Sequence, residues 1–213
     1  MTFDTPEDMH PQEVRDRSTV SFPTEELILV DHEDRVTGHA SKQATHEGAG
    51  RLHRAFSVFL FSPDGRVLLH KRGGEKPLWP GYWTNSCCSH PRRSEELLGA
   101  VKRRVLEELG VPVITPTHIY AFEYHATFED RGSEHEYCHV FLGRVVDPSL
   151  LSPHAEEIEE WSWLTPQYVD AFIRENPESV TPWFVQEWSA LRGEYREVLE
   201  AFLSDPEGSR NVA

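Results

Sequence analysis

Two thiols and an imidazole stand together in Trp83–Pro91, WTNSCCSHP. Cys87, Cys88 and His90 could form part of a disulfide framework, a metal site, a catalytic thiol or a chance cluster in a core strand. The disulfide is the weakest of these. The chain has three cysteines, Cys87, Cys88 and Cys138, and geometry rarely lets adjacent cysteines pair. The absence of a CxxC pair excludes a four-thiolate zinc knuckle.

Twelve histidines are the more telling feature. His46, His53 and His90, with Glu134 and Glu136, offer three imidazoles and carboxylate oxygen, a donor set that suits Zn²⁺ or Mn²⁺ better than the harder Mg²⁺. Glu134 and Glu136 are two positions apart, so on a strand they face the same side. A second constellation is cationic: Lys42, Arg72, Lys76 and Arg104 could make a local anion pocket in an otherwise acidic chain, and Arg suits bidentate contact with phosphate. Taken one at a time, each also reads as an ordinary surface charge. Glu107 and Glu108 close a helix end where the macrodipole disfavours acids, a hint that one of them meets a cation. A third constellation is Cys88 with Glu136 and Tyr124. Counting back from the EDRG turn sets Tyr124 across from Glu136, and two such ionisable groups can give and take protons. The plainer reading makes Cys88 a small buried hydrophobe.

The elements that must position these groups follow from pattern. With 213 residues and 38% apolar content, the chain supports one core. A net charge of -15 argues against nucleic acid or an anionic membrane as partner. No apolar run approaches the roughly 20 residues of a membrane span, and the start has no secretion signal, so a cytoplasmic protein is expected. Residues 1–23, polar and acidic, are expected to be a mobile arm, 24–204 one domain, and 205–213 a flexible tail. ELILVD reads as a strand and the Gly-, Ala- and His-rich VTGHASKQATHEGAGRLH as irregular. RAFSVFLF and RVLLHKR read as strands joined by an SPDG turn. SEELLGAVKRRVLEELG is the clearest helix, with Ser94 as N-cap, Gly110 as stop, and Leu97, Leu98, Val101, Val105 and Leu109 on its buried face; Arg104 and Glu108 border that face. HIYAFEYHATF and EYCHVFLGRV form two more strands, PQYVDAFIREN a helix, and SVTPWFVQEWSALRGEYREVLEAFL one longer helix. Strands interleaved with helices, without strict alternation, predict an α/β mixed sheet covered by helices on both faces.

In order along the chain, RLHRAFSVFLF, LWPGYWTNSCCSHP, AVKRRVLEELGV, EYHATFEDRGSEHEYCHVF and TPWF resemble the type 1 isopentenyl-diphosphate isomerases, a branch of the Nudix superfamily. The resemblance spans about residues 26–190. It implies a Nudix-type mixed β-sheet between α-helices, with an N-terminal extension, and a reaction interconverting isopentenyl and dimethylallyl diphosphate. Residue by residue, it implies Cys88 and Glu136 as the catalytic pair, with Tyr124 beside the carboxylate and Trp183 facing the hydrocarbon. By the same likeness, His46, His53, His90, Glu134 and Glu136 would hold one Mn²⁺ or Zn²⁺. Glu108 would help hold a Mg²⁺ carried with the diphosphate, and Lys42, Arg72, Lys76 and Arg104 would bind that diphosphate. The implied partner is a small isoprenyl diphosphate, with the protein a monomer or weak homodimer. Against the hydrolase form of the Nudix motif, Ser89 replaces a Gly and Arg103-Arg104 replaces Arg-Glu. Losing a clustered carboxylate and gaining a cation suits gripping a diphosphate without cutting it. The alternatives are a Nudix hydrolase of nucleoside diphosphate derivatives and a metal-stabilised binding module.

Overall fold

A computed structural model describes residues 19–205. Most of the expected arm (1–23) and nearly all of the expected tail (205–213) therefore lie outside the described residues. Strands β1 (Glu26–Val30) and β2 (Val36–Ser41) pair antiparallel. Helix α1 (Lys42–His46) follows directly, its first turn capped by Ser41 Oγ, which accepts from Ala44 N. The stretch expected to be irregular thus contains a strand and a short helix. Its residues gave little signal, because β2 buries none of its side chains fully and a five-residue helix is too short to show a period.

Strand β3 (His53–Phe61) is the hub of the sheet. The turn expected at Ser62–Gly65 forms, but β3 and β4 (Val67–Arg72) pair only at Phe61 and Val67 before diverging. Along β3 the same edge then serves β6 (Cys87–Ser89), after the two-residue β5 (Trp83–Thr84) has paired with β4. Helix α2 (Leu97–Leu109), with Glu96 at its N-cap position, begins two residues later than Ser94 suggests. Ser94 is left-handed, with φ 64°, and no side-chain hydrogen bond caps the helix. Gly110 ends it as expected. Leu98 is exposed, and Ala100 takes its place on the buried face beside Val101, Val105 and Leu109.

Strands β7 (Ile114–Phe128) and β8 (Gly132–Arg144) form the expected hairpin, with Tyr124 opposite Glu136. β8 also pairs with β3 in parallel over nine positions, from His53↔Glu136 to Phe61↔Arg144. β9 (Ile158–Leu164) pairs with β4, and helices α3 (Pro166–Glu175), α4 (Pro182–Arg192) and α5 (Arg196–Ser204) complete the chain. The long C-terminal helix expected from pattern is two helices, broken at Gly193.

Side-chain alternation divides the core. From β3, Ala55, Phe59 and Phe61 join one cluster with Cys138, Val140, Trp183, Phe184 and Trp188, under α4 and α5. Phe56, Val58 and Leu60 join the other with Val101, Val105 and Leu109 of α2. The alternation also separates the two thiols. Cys87 is buried in the α2 cluster, while Cys88 packs against the α4 cluster. His53, Ser57, Cys88, His90, Glu134 and Glu136 therefore share a sheet face.

Where β8 starts, Gly132 has φ 146°, and a Cβ there would collide with the His46 carbonyl. Gly132→Ala is expected to cost at least ~2 kcal/mol and lower Tm by at least roughly 5 °C. Gly99→Ala, in α2 with open space around its Cβ position, is expected to raise Tm slightly, by up to ~1 kcal/mol of helix propensity. Thermal unfolding followed by circular dichroism checks both.

Candidate active site

The His and Glu cluster assembles from four elements: His46 ends α1, His53 opens β3, His90 follows β6, and Glu134 and Glu136 lie on one face of β8. One ligand atom from each lies within 4.8 Å of the others. His46 Nε2 is 2.8 Å from Glu134 Oε2, and His90 Nε2 is 2.9 Å from Glu136 Oε1. His53 Nε2 stands 3.7 Å from the same Glu136 oxygen.

The hydrogen-bond directions show what the cluster is built for. His46 Nδ1 lies 2.6 Å from the Lys42 carbonyl and His53 Nδ1 2.7 Å from the Arg51 carbonyl; each ring must donate there, because a carbonyl only accepts. The neutral His53 ring then turns a bare Nε2 lone pair toward carboxylate oxygens; burial works against a proton on His46, but Glu134 beside its Nε2 outweighs burial and raises that ring. His53 Nε2 and Glu134 Oε2 are buried with no hydrogen-bond partner. Lone pairs converging on one point, with the far ring nitrogens anchored to backbone carbonyls, fit a divalent cation. Burial and the neighbouring His46 push His53 down to about 3, which keeps its lone pair free of a proton. Burial and the Glu134 carboxylate together hold the Glu136 carboxyl well above the usual carboxylate range. Burial also acts on Glu134, but His46 outweighs it and draws that carboxyl down.

Next to this cluster lies a cavity of about 720 Å³, lined among others by Cys88, His90, Tyr124, Glu134, Glu136 and Trp183. Tyr124 OH donates to Glu136 Oε2 at 2.7 Å. Trp183 is almost fully buried, meets Trp79 edge-on, and donates from Nε1 to Thr84 Oγ1 at 3.1 Å. Burial and then Glu187 push the Cys88 thiol up.

The other end of the cavity is basic, with Lys42, Arg72, Lys76 and Arg104 all on its wall. Each already has a partner. Lys42 Nζ donates to Ser21 Oγ at 2.6 Å, Arg72 to the Leu78 and Trp79 carbonyls, Lys76 to Glu157, and Arg104 to Glu108. Residues 19–23 lie along this end: Arg104 donates to the Val20 carbonyl at 2.6 Å, and Phe22 and Pro23 line the cavity. Burial lowers Lys42 and Lys76, each helped by neighbouring cations. Four cations crowded into low dielectric favour an incoming anion. Glu108 does not line the cavity; it sits behind Arg104, which donates to Glu108 Oε1 from both Nε and Nη2.

Sequence reasoning missed two groups. Glu157, 3% exposed, braces Lys76 and lies 3.5 Å from Arg104. Asn85, fully buried, accepts from the Cys88 thiol at 2.6 Å while its amide nitrogen donates to the Val58 and Cys87 carbonyls. An Asn three residues before a candidate thiol was the available signal for the second. Nothing in the EEIEE run singles out Glu157.

The NUDIX domain model matches residues 51–184. An isopentenyl-diphosphate Delta-isomerase 1 of Photorhabdus laumondii is 40% identical over 168 residues, 78% of this chain and 94% of that protein. The isopentenyl-diphosphate Delta-isomerase of Klebsiella pneumoniae is 37% identical over 179 residues, 83% of this chain and 93% of that protein. A crystal structure from Deinococcus radiodurans, only 19% identical, superposes with a TM-score of 0.58 over 83% of this chain and 98% of its own, a likeness of fold. The chain belongs to the Nudix superfamily and, within it, to the isopentenyl-diphosphate Delta-isomerase family.

Proposed function

We infer that this protein interconverts isopentenyl and dimethylallyl diphosphate, with Cys88 and Glu136 exchanging protons with the substrate. The observation that carries the assignment of residues is that one cavity joins a thiol, a tyrosine-braced carboxyl and an indole to a basic end. Its family relatives carry the isomerase name.

An alkene without activating groups is a very poor base, and protonating it gives a tertiary carbocation that water would capture. The site must therefore be dry and hold a strong acid and a base close to the reacting carbons. Glu136 is the proton donor: burial and Glu134 keep a proton on it to give, and Tyr124 fixes its orientation. Glu136 gives its proton to the terminal carbon and Cys88, as the thiolate, takes one from the carbon on the other side of the cation, ending as the thiol that donates to Asn85; the roles exchange in the reverse direction. Trp183 presents a π face to the cation, worth ~2 kcal/mol when desolvated, or roughly thirtyfold in rate. Lys42, Arg72, Lys76 and Arg104 hold the diphosphate and orient the hydrocarbon toward the acid. Arg104, buried and paired with Glu108, stands where hydrolases of this superfamily carry a carboxylate, so the basic end grips without cutting. A Mn²⁺ or Zn²⁺ held by His46, His53, His90, Glu134 and Glu136 would supply charge that acidifies and orients Glu136. A Mg²⁺ carried with the diphosphate would have Glu108 as its candidate ligand.

Proton NMR of isopentenyl diphosphate with the protein and Mg²⁺ tests this. The vinyl signals are expected to decay as those of dimethylallyl diphosphate grow, with no release of phosphate. Unchanged vinyl signals would leave a binding module; liberated phosphate would mean a hydrolase.

A further inference from the structure

Glu187, on α4, carries a carboxyl buried under the sheet with no ionic partner among the described residues and an Oε2 that no donor reaches. The groups facing it are Ser57 of β3, Cys88 of β6, Tyr120 of β7, and Glu136 and Cys138 of β8; none is a cation. A charged group in so apolar a place needs a reason, and proton counting along the neighbouring hydrogen bonds supplies one.

The count starts at Asn85. Both hydrogens of its amide nitrogen go to backbone carbonyls, Val58 and Cys87, so Oδ1 is the atom that meets Cys88. Cys88 therefore spends its only proton on Asn85 Oδ1. Ser57 Oγ also touches Cys88 Sγ, at 3.2 Å. With the thiol proton already committed, Ser57 must be the donor in that contact. Its hydroxyl proton is then spent too, and whatever meets Ser57 from the far side has to donate to it. The Cys138 thiol is that neighbour, its Sγ 3.5 Å from Ser57 Oγ; with its proton spent there, Glu187 Oε1, 3.6 Å from the same sulfur, has to donate to it.

We propose that Glu187 is a positioning residue for the isomerisation: as a neutral acid it donates to the Cys138 sulfur, so that the Cys138 thiol donates to Ser57 and keeps the Ser57 hydroxyl turned toward the Cys88 sulfur. The inference rests on the reading of Cys88 as a proton-exchanging group. Burial pushes Glu187 up to about 8, which leaves it protonated at neutral pH. An ionised Glu187 would take the Cys138 proton instead and leave Ser57 without that donor. While Cys88 holds a proton taken from substrate carbon, the Ser57 donation steadies the thiol. While the sulfur is bare, the same donation becomes a charge-assisted hydrogen bond, roughly twice as strong as a neutral one. Glu187 itself does not line the cavity and touches no reacting atom.

Steady-state kinetics on isopentenyl diphosphate with Mg²⁺, with thermal unfolding as a check of fold, provide the test. Glu187→Leu and Ser57→Ala are each expected to lower kcat on the order of 10-fold with KM within about twofold, the loss of one hydrogen bond to a charged group. Glu187→Gln, which keeps a donor, should retain kcat within about threefold. The double variant Ser57→Ala/Glu187→Leu should be no slower than Ser57→Ala, since both changes break one chain. Wild-type kcat in Ser57→Ala or in folded Glu187→Leu overturns the proposal. So does a Glu187→Gln as slow as Ser57→Ala, or losses that multiply in the double variant. If Glu187→Leu does not fold, Ser57→Ala and Glu187→Gln decide. A wild-type protein without turnover, or a fully active Cys88→Ala, defeats the underlying reading instead.

Discussion

Cys88→Ala is expected to lower kcat by about 10³-fold or more, while Cys87→Ala leaves it within a few-fold of wild type. The two thiols are adjacent in sequence and opposite in the sheet. Cys88 opens onto the cavity beside Tyr124 and Trp183, whereas Cys87 is fully buried against α2. Removing a proton-transfer group typically costs 10²–10⁴-fold, and the upper part of that range applies where an alkene offers no other route. Cys87→Ala removes a sulfur from a packed core, so it is expected to destabilise by roughly 1–2 kcal/mol and lower Tm by a few degrees. The signatures are therefore crossed: one variant loses rate and keeps stability, the other the reverse. NMR turnover and a thermal melt on both proteins read them, and equal loss of rate in the two would undo the assignment.

The second large effect concerns the metal. Wild-type protein is expected to carry about one Mn²⁺ or Zn²⁺ per chain by elemental analysis, and His53→Ala close to none. His53 is fully buried, and its ring is locked by the Arg51 carbonyl, so no mobile side chain can take its place. The variant leaves Glu134 and Glu136 facing each other with one imidazole fewer, and two buried carboxylates repel. Both apparent Tm and turnover should fall. Exhaustive chelation of the wild type should reproduce the fall in Tm, since an ion at a thousandfold excess over its Kd contributes about 4 kcal/mol. A wild-type preparation free of transition metal and fully active would remove the site.

Much of this arrangement was legible in the chain because it rests on local period. Counting from the EDRG turn placed Tyr124 opposite Glu136, and the two-residue period put Glu134 and Glu136 on one face of their strand. Helical spacing set Arg104 beside Glu108. Where period failed, so did the reading. Ser94 looks like a cap but adopts a left-handed backbone, and Leu98 fits the apolar stripe yet faces solvent. Gly193 interrupts a pattern that reads as continuous. The joining of His46, His53 and His90 to β8 is of another kind. It depends on a parallel pairing between β3 and β8 that no window of residues encodes, and it came from resemblance to a family. Glu187 illustrates the same limit: on a helix surface an acid in VQEW reads as solvated, and only the packing of α4 against the sheet buries it.

That parallel pairing also has a kinetic meaning. Antiparallel hairpins such as β7–β8 close early, because their ends are near in sequence, whereas joining β3 to β8 closes a far longer loop. His53 and Glu136 are the first pair in that register, so the centre is not assembled until this slow, non-local step is complete. Uptake of a transition metal during refolding should accordingly trail hairpin formation and keep time with global folding. The metal then serves as a clock for a non-local pairing, and a released ion marks its reversal.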